Sequence, residues 1–478
     1  MIHDLKPYPT YKSSGVPWLG VVPEHWALKR GKNLFRCVDV RSETGEEELL
    51  TVSSERGVVP RRSATVTMFK AESYIGHKLC WSGDLVINSL WAWARGLGVS
   101  QYHGIVSTAY GVYRPRKEAD VDSRFIHELV RSTPFQWELQ VRSKGVWTSR
   151  LQLTDESFLG APFSLPPLPE QSAIARFLDY MDRRIRRYIR AKKKLIELLN
   201  EQKQAIIHRA VTRGLDPNVR LKPSGVEWLG DVPEHWEVQR LKFEMTFSGG
   251  GTPSKANPSY WNGDIPWVSP KDMKADVICD AEDHINEQAI SESSTRLVPA
   301  GSILLVVRSG ILQRTIPIAL SSRLVALNQD MKALRSRGRL SHGYFVLLVR
   351  GCQKTLLTKW TKQGATVESI EHEYLVNCEV PVPPIDEQEA IVANLQAATS
   401  GLDQGIEAAG REIDLFSEYR TRLIADVVTG KLDVREAAAK LPDEADELEQ
   451  IDNEEALAEG DESGENADLD AAPEEADP

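Results

Sequence analysis

Apolar residues recur at helical spacing through one long stretch, Glu170 to Arg213, that contains no Pro or Gly. Leu178, Met181, Ile185, Ile189, Ile196, Leu199, Ile206 and Ala210 follow a 4-3 heptad rhythm, with lapses at Lys192 and Lys203. So narrow a stripe predicts a coiled-coil seam, on a helix of roughly 65 Å at ~1.5 Å per residue. Gly214 ends it. A second pattern of this kind runs from about Glu387 to Val428, through Leu395, Ala398, Leu402, Ile406, Ala409, Ile413, Phe416, Leu423 and Val427. Shifted by 217 positions, the two stripes coincide. Leu165-Pro-Pro-Leu-Pro169, ahead of the first helix, reads as a stiff connector that excludes helix.

Ahead of each long helix the pattern changes to strand and turn. Asp84-Leu-Val-Ile-Asn-Ser89 is an apolar run of strand length, and residues 104–113 alternate small, β-branched and aromatic side chains. Asp122 to Arg142 predicts a helix with Phe125, Leu129 and Val130 on one face. In the second half, Ser302-Ile-Leu-Leu-Val-Val307 and Ser322-Arg-Leu-Val-Ala-Leu327 predict strands. Both regions are mixed α/β.

A third pattern explains the first two. Lys12-Ser-Ser-Gly-Val-Pro-Trp-Leu-Gly-Val-Val-Pro-Glu-His-Trp26 returns as Lys222-Pro-Ser-Gly-Val-Glu-Trp-Leu-Gly-Asp-Val-Pro-Glu-His-Trp236, with twelve of fifteen positions identical. The chain is an internal duplication of strap, globular domain and long helix. The predicted fold is mixed α+β. Two globular domains are separated by a long antiparallel two-helix coiled coil, related by a pseudo-twofold axis. The predicted boundaries are 1–164 for the first strap and domain, 165–213 for the first helix, 214–381 for the second strap and domain, 382–440 for the second helix, and 441–478 for a disordered acidic tail.

Composition narrows the function. No run of 18 apolar residues predicts a membrane span. Five scattered cysteines without a CxxC pair fit a reducing cytoplasm better than a zinc site or a disulfide framework. The net charge of −11 is misleading, because residues 441–478 hold 17 acidic and no basic side chains. The remainder carries 58 basic against 52 acidic residues, which removes the electrostatic objection to a nucleic-acid partner. A rod that holds two recognition surfaces at a fixed distance suits DNA, whose half-sites recur with the helical turn.

The paired SGVxWLGxVPEHW straps, the PPLPEQ and PPIDEQ helix openings, and the VTxGxLD-like helix ends resemble the specificity subunit of type I restriction-modification systems. Inside the domains, Gly250-Gly-Thr-Pro-Ser254, residues 260–269, Val307-Arg-Ser-Gly-Ile311, Asn328-Gln-Asp-Met-Lys332, residues 86–93 and Ser107-Thr-Ala-Tyr110 are similar to that family's domains as well. The resemblance spans residues 12 to about 440. It implies two target-recognition domains that each read half of a split double-stranded DNA sequence. It also implies two docked methyltransferase subunits and restriction subunits with endonuclease and translocase activity. S-adenosylmethionine, ATP and magnesium would then be used by those partners and not by this chain.

Chemistry within the chain is sparse. Asn257-Pro-Ser-Tyr260 is one residue from the Asn-Pro-Pro-Tyr pattern of adenine-N6 methyltransferases, but no Gly-rich turn for S-adenosylmethionine precedes it. No phosphate-binding GxxxxGK[ST] occurs, and the histidines do not cluster. His25 and His235 in the straps read as packing partners of Trp26 and Trp236. The chain is expected to be a non-catalytic subunit without a metal site. A coiled-coil adaptor that only scaffolds proteins is the alternative.

Candidate DNA contacts are basic or amide residues on Gly-flanked loops that match between the halves. One is Arg95, matched by the region of Arg308 and Arg314. Another is Lys144, Thr148 and Arg150, matched by Lys362, Gln363 and Thr366. A third is Lys255, Lys271 and Lys274. For any one of them a solvated surface charge is the simpler reading, and Trp91, Trp93, Trp261 and Trp267 read as core. The first long helix carries 12 basic and 5 acidic residues, concentrated at residues 183–187 and 192–194, which would suit DNA or an acidic partner face.

Overall fold

The computed structural model describes residues 5–63, 73–145, 151–361 and 368–442. The acidic tail beyond 442 lies outside them. The chain forms two compact units, one of Met1–Arg190 with Ile413–Pro478 and one of Ala191–Glu412. Each unit takes a strap, a globular domain, part of one long helix and the facing part of the other.

The long helices span Leu168–Arg213 and Ile385–Val428. The first therefore begins inside the predicted Pro-rich connector, and the second two residues ahead of the predicted Glu387. Pro169 sits in the first helical turn, where a missing N–H leaves no bond unmade. The carbonyls of Pro167 and Pro384 accept the first helical bonds, from Glu170 and Gln171 and from Glu387 and Gln388.

Within the first unit the two helix segments run antiparallel. Asp182 pairs with Arg420, and the Tyr188 and Phe416 rings stack at 5.6 Å. In the second unit Lys192 meets Glu412 at 2.8 Å and Lys203 meets Asp403 at 2.5 Å, again antiparallel. The two lysine lapses in the seam are thus filled. Their stems occupy seam positions while their ammonium groups reach out to carboxylates. Ala398 departs from the predicted stripe: it is exposed, and Thr399 is buried in its place. A strict 3.5-residue repeat drifts on a 3.6-residue helix, and the buried face moves by one position.

The first domain is built on an antiparallel sheet in the order Phe35–Cys37, Tyr110–Pro115, Leu85–Asn88, Leu97–Val99. The apolar run at 104–113 is two strands, Gly104–Val106 and Tyr110–Pro115, with Ser107 and Thr108 in the turn between them. The predicted 122–142 helix is also two, Ser123–Arg131 and Thr133–Arg142. Asp122 caps the first, and Ser132 ends it and caps the second ahead of Pro134. Phe125, Leu129 and Val130 are fully buried, as the spacing predicted. Leu423, Val427, Val428, Val434, Ala438 and Leu441 complete this core, so the chain's last described segment belongs to its first domain.

The second domain has a five-stranded sheet in the order Met245–Gly249, Met331–Ser336, Ile303–Val306, Ile318–Ser321, Val277–Ile278. A four-stranded sheet containing Ile265–Val268 and Val325–Leu327 stands beside it. The predicted strand at 322–327 is confined to Val325–Leu327. Ile207, Ala210 and Val211 from the end of the first long helix, with Ile391 and Leu395, pack into this core.

Candidate nucleic-acid interface

The two straps are clamped to the long helices by one construction used twice. Each strap is a hairpin, Tyr11–Ser13 with Val21–Pro23 and Leu221–Pro223 with Asp231–Pro233, which delivers a Trp into the core. The Trp26 indole is fully buried and donates its N–H to Glu170 Oε1 at 2.9 Å, while His25 Nε2 lies 2.7 Å from Glu170 Oε2. Trp236 donates to Glu387 at 3.0 Å, and His235 Nε2 lies 2.8 Å from the same carboxylate. The histidines predicted as packing partners are therefore polar partners of a helix-opening glutamate.

The next residue of each helix opening holds the globular domain. Gln171 accepts from the Asp122 N–H at 2.9 Å and donates to the Asp120 and Pro166 carbonyls. Gln388 accepts from the Ser341 N–H at 2.7 Å and donates to the Arg339 and Pro383 carbonyls. The far end of the other helix seals each clamp. Gly430 (φ +77°) lies so close that an added Cβ would sit 2.4 Å from Pro23 and 3.1 Å from Trp26. Gly214 (φ +75°) is the looser counterpart, where an added Cβ would sit 3.1 Å from Glu387 and 3.4 Å from Trp236.

Away from the clamp, the ends of two loops meet on matching supports in each domain. In the first domain the N–H of Leu153 donates to the Ser89 carbonyl at 2.9 Å, and Lys144 forms a β-bridge with Gln152. In the second the N–H of Ile370 donates to the Val307 carbonyl at 2.8 Å, and Thr361 bridges to Ile370. The loop after the central strand is latched by the helix that follows. Gln136 donates to the Trp93 carbonyl, and Gln353, which stands 217 positions later, accepts from the Thr315 hydroxyl at 2.9 Å.

The candidate contacts distribute unevenly over this frame. Arg95 has a left-handed backbone (φ +64°), alone among non-glycine described residues, a conformation that costs about 1–2 kcal/mol. Its guanidinium turns inward to Gln136 at 2.9 Å and Thr133 at 3.0 Å. Burial, and then nearby Arg420, lower its pKa. Behind it, Arg131 donates to the carbonyls of Ser53, Ser54, Arg95 and Leu97, and burial brings its pKa down to about 10. Arg350 plays a similar part in the second domain, with a bond to the Ile318 carbonyl at 2.9 Å.

Arg308 and Arg314 are exposed at the ends of the corresponding loop, and Arg308 bridges to Ser369 beside the second pinned loop. Lys144 is exposed at the base of the first pinned loop. Thr148, Arg150, Lys362, Gln363 and Thr366 lie outside the described residues. Lys255 is exposed on another loop. Lys271 is held by Asp283 at 2.9 Å and Glu282 at 3.1 Å. Lys274 instead lines a cleft of about 870 Å³ in the second unit, with Lys203, Asp403 and Arg350. The structure thus places Arg308 beside the base of the second loop, ties Lys271 to two carboxylates and sets Lys274 in the cleft.

Of the four tryptophans read as core, Trp267 is buried, whereas Trp91, Trp93 and Trp261 are half-buried. Trp91 and Trp93 stack on each other at 5.6 Å on the loop surface. An aromatic-rich sequence does not reveal which rings a short loop leaves at its rim. The basic run on the first long helix is partly used internally: Arg186 pairs with Asp182 at 2.7 Å, Lys192 with Glu412 and Lys194 with Glu197 at 3.3 Å.

Asn257 caps the 3-10 turn at Pro258–Trp261, accepting from Ser259, while the Tyr260 hydroxyl bonds Glu292 at 2.5 Å. The amide and phenol of this near-motif are thus engaged in local structure.

A profile of the type I restriction modification DNA specificity domain matches residues 233–409. The specificity subunit of the type I restriction enzyme EcoR124I/EcoR124II from Escherichia coli is 34% identical over 55% of this chain and 62% of its own length. The MjaIX specificity subunit of Methanocaldococcus jannaschii is 30% identical over 41% of this chain and 44% of its own. The chain thus spans about three fifths of the first relative and less than half of the second. A chain solved in work on complex assembly and conformational transition of the type I R-M system superimposes with a TM-score of 0.64. It covers 86% of this chain and 99% of its own length at 18% identity, a likeness of fold.

Proposed function

We propose that this chain is a specificity subunit of a type I restriction-modification system and that it reads a split double-stranded DNA target, one half with each globular domain. The observation that carries the proposal is the repeated clamp. Trp26 with Glu170 and Trp236 with Glu387 fix two domains of different sheet content to the same kind of helix frame. Constant supports with dissimilar surfaces suit two readers of dissimilar sequences.

The chain itself contributes no chemical step in this proposal. It docks two methyltransferase subunits on the helix frame, and restriction subunits join them. S-adenosylmethionine, ATP and magnesium are used by those partners. Their chemistry is methyl transfer to adenine and DNA cleavage with translocation. Low salt strengthens binding and high salt weakens it, since phosphate contacts release counterions. A cytoplasmic location follows from the DNA substrate.

Exchange of residues 27–164 for the corresponding domain of a relative tests this. Methylated adenines mapped across a genome that carries the hybrid are expected to keep one half of the target and change the other. Loss or change of both halves together would overturn modular reading. Binding of the assembled complex to DNA without sequence preference would favour a scaffold.

A further inference from the structure

In both domains the loop after the central strand is bonded to a helix that lies against it. The helices are Thr133–Arg142 and Gln353–Trp360. The latches of Gln136 and Gln353 fix each loop to its helix. With the 217-residue offset, Leu139 and Leu356 fall on the same buried position, Trp137 stands where Lys354 stands, and Val141 where Thr358 stands.

Only the exposed face of this loop and helix differs. In the first domain Leu90, Trp137 and Val141 are 42%, 48% and 62% exposed. Two of the nearby cations are withdrawn from it, Arg95 to Gln136 and Thr133 and Arg142 to Glu138 at 2.5 Å, while Lys144 stays exposed past the end of the helix. In the second domain Arg308 and Lys354 are exposed, and among the described residues of this loop and helix Ile311 (43% exposed) is the one exposed large apolar side chain. Apolar side chains at i and i+4 on the outer side of a short helix lie where water would favour polar groups. A partner with apolar groups of its own gives them a use. A duplex that presents thymine methyl groups is such a partner, and one that presents guanine O6 and N7 suits Arg308 and Lys354.

We propose that this face is the base-reading surface of both domains, and that the two domains read by different chemistry. Leu90, Trp137 and Val141 recognise an A·T-containing half-site through apolar contact with thymine methyl groups. Arg308 and Lys354 recognise a G·C-containing half-site by hydrogen bonds to guanine. The inference rests on the DNA-reading function proposed above and names the residues and the bases.

The test uses the full-length chain with a pool of randomised duplexes, from which bound sequences are recovered and read. The wild type is expected to select two short elements, one with a G·C position and one with an A·T position. Arg308→Ala should relax the G·C position by about 5- to 150-fold, the range for losing a bidentate guanine contact, and leave the other element intact. Arg308→Lys should retain part of that preference. Trp137→Ala and Val141→Ser should relax only the A·T element, and the untouched element reports that the variant is folded. A wild type that selects no motif overturns the DNA-reading function and this inference with it. A wild-type motif that survives all four substitutions, or weakens uniformly without relaxing at any position, overturns this inference alone.

Discussion

The Trp26 indole donates to Glu170 across 144 residues of chain, and Trp236 donates to Glu387 across 151. Glu170 also accepts from the Tyr8 hydroxyl at 2.7 Å and is 6% exposed, whereas among the described residues Glu387 has no such third partner and is 26% exposed. The two clamps share a design but differ in how much depends on one carboxylate.

That asymmetry sets the first prediction. Glu170→Ala leaves a buried indole N–H and a phenol without their acceptor, a loss of about 2–4 kcal/mol for a charged, multiply bonded group. Glu387→Ala should cost less, about 1–2 kcal/mol, because water reaches its site. Thermal unfolding followed by circular dichroism checks the order. Equal losses would mean that the Tyr8 bond adds nothing.

Glycine at the helix ends gives a second. Gly430→Ala drives a Cβ to 2.4 Å from Pro23 in a left-handed backbone. Gly225→Ala has the same backbone strain (φ +75°) with nothing within 4 Å. Urea unfolding should show about 1 kcal/mol lost at Gly225, and a further 1–3 kcal/mol at Gly430 from overpacking.

The seam lysines give a third. Lys192 and Lys203 are each 30% exposed and their partners Glu412 and Asp403 about half exposed, so the pairs are screened. Such pairs are worth about 0–1 kcal/mol. Lys192→Leu with Lys203→Leu should therefore hold or raise the melting temperature. A fall of several degrees would show that the ion pairs outweigh apolar burial.

Two neighbours on the Ser123–Arg131 helix make stability depend on pH in opposite senses. Burial raises the Glu128 carboxyl to about 7, with Asp182 and Asp179 adding and Arg420 opposing. The folded state then holds this proton more tightly than the unfolded chain, so stability falls as pH rises from about 4.5 to 7. Burial beside Arg131 lowers His127 to about 4. The unfolded chain takes up that proton first, so stability falls as pH drops from about 6.5 to 4. Between pH 4.5 and 6.5 the two slopes largely cancel. Glu128→Gln removes one of them, and its stability should rise by about 1–3 kcal/mol over that window where the wild type stays nearly flat. Chemical unfolding at a series of pH values measures both curves, and parallel curves would contradict the assignment.

The duplication, the two long helices and the mixed character of both domains follow from sequence alone. Repeats and periodicity are local properties, and a heptad stripe without Pro or Gly has few alternatives to a long helix. The same local logic misplaced two boundaries. A proline that breaks a helix interior is welcome in a first turn, so Pro169 lies inside the helix it was expected to precede. Ser132 ahead of Pro134 caps a new helix where periodicity alone ran through.

What the sequence could not decide is which repeated residues touch. The EHW of each strap and the EQ of each helix opening were visible as separate motifs, and only folding brings His25 and Trp26 onto Glu170. Nor could residue type tell an outward arginine from an inward one. Arg95 and Arg308 were equal candidates, and the αL backbone with Gln136 and Thr133 turned only the first inward. Local spacing determined the elements of this protein. Long-range burial and hydrogen-bond satisfaction, which need partners more than a hundred residues away, decided which side chains became clamp, latch or free surface.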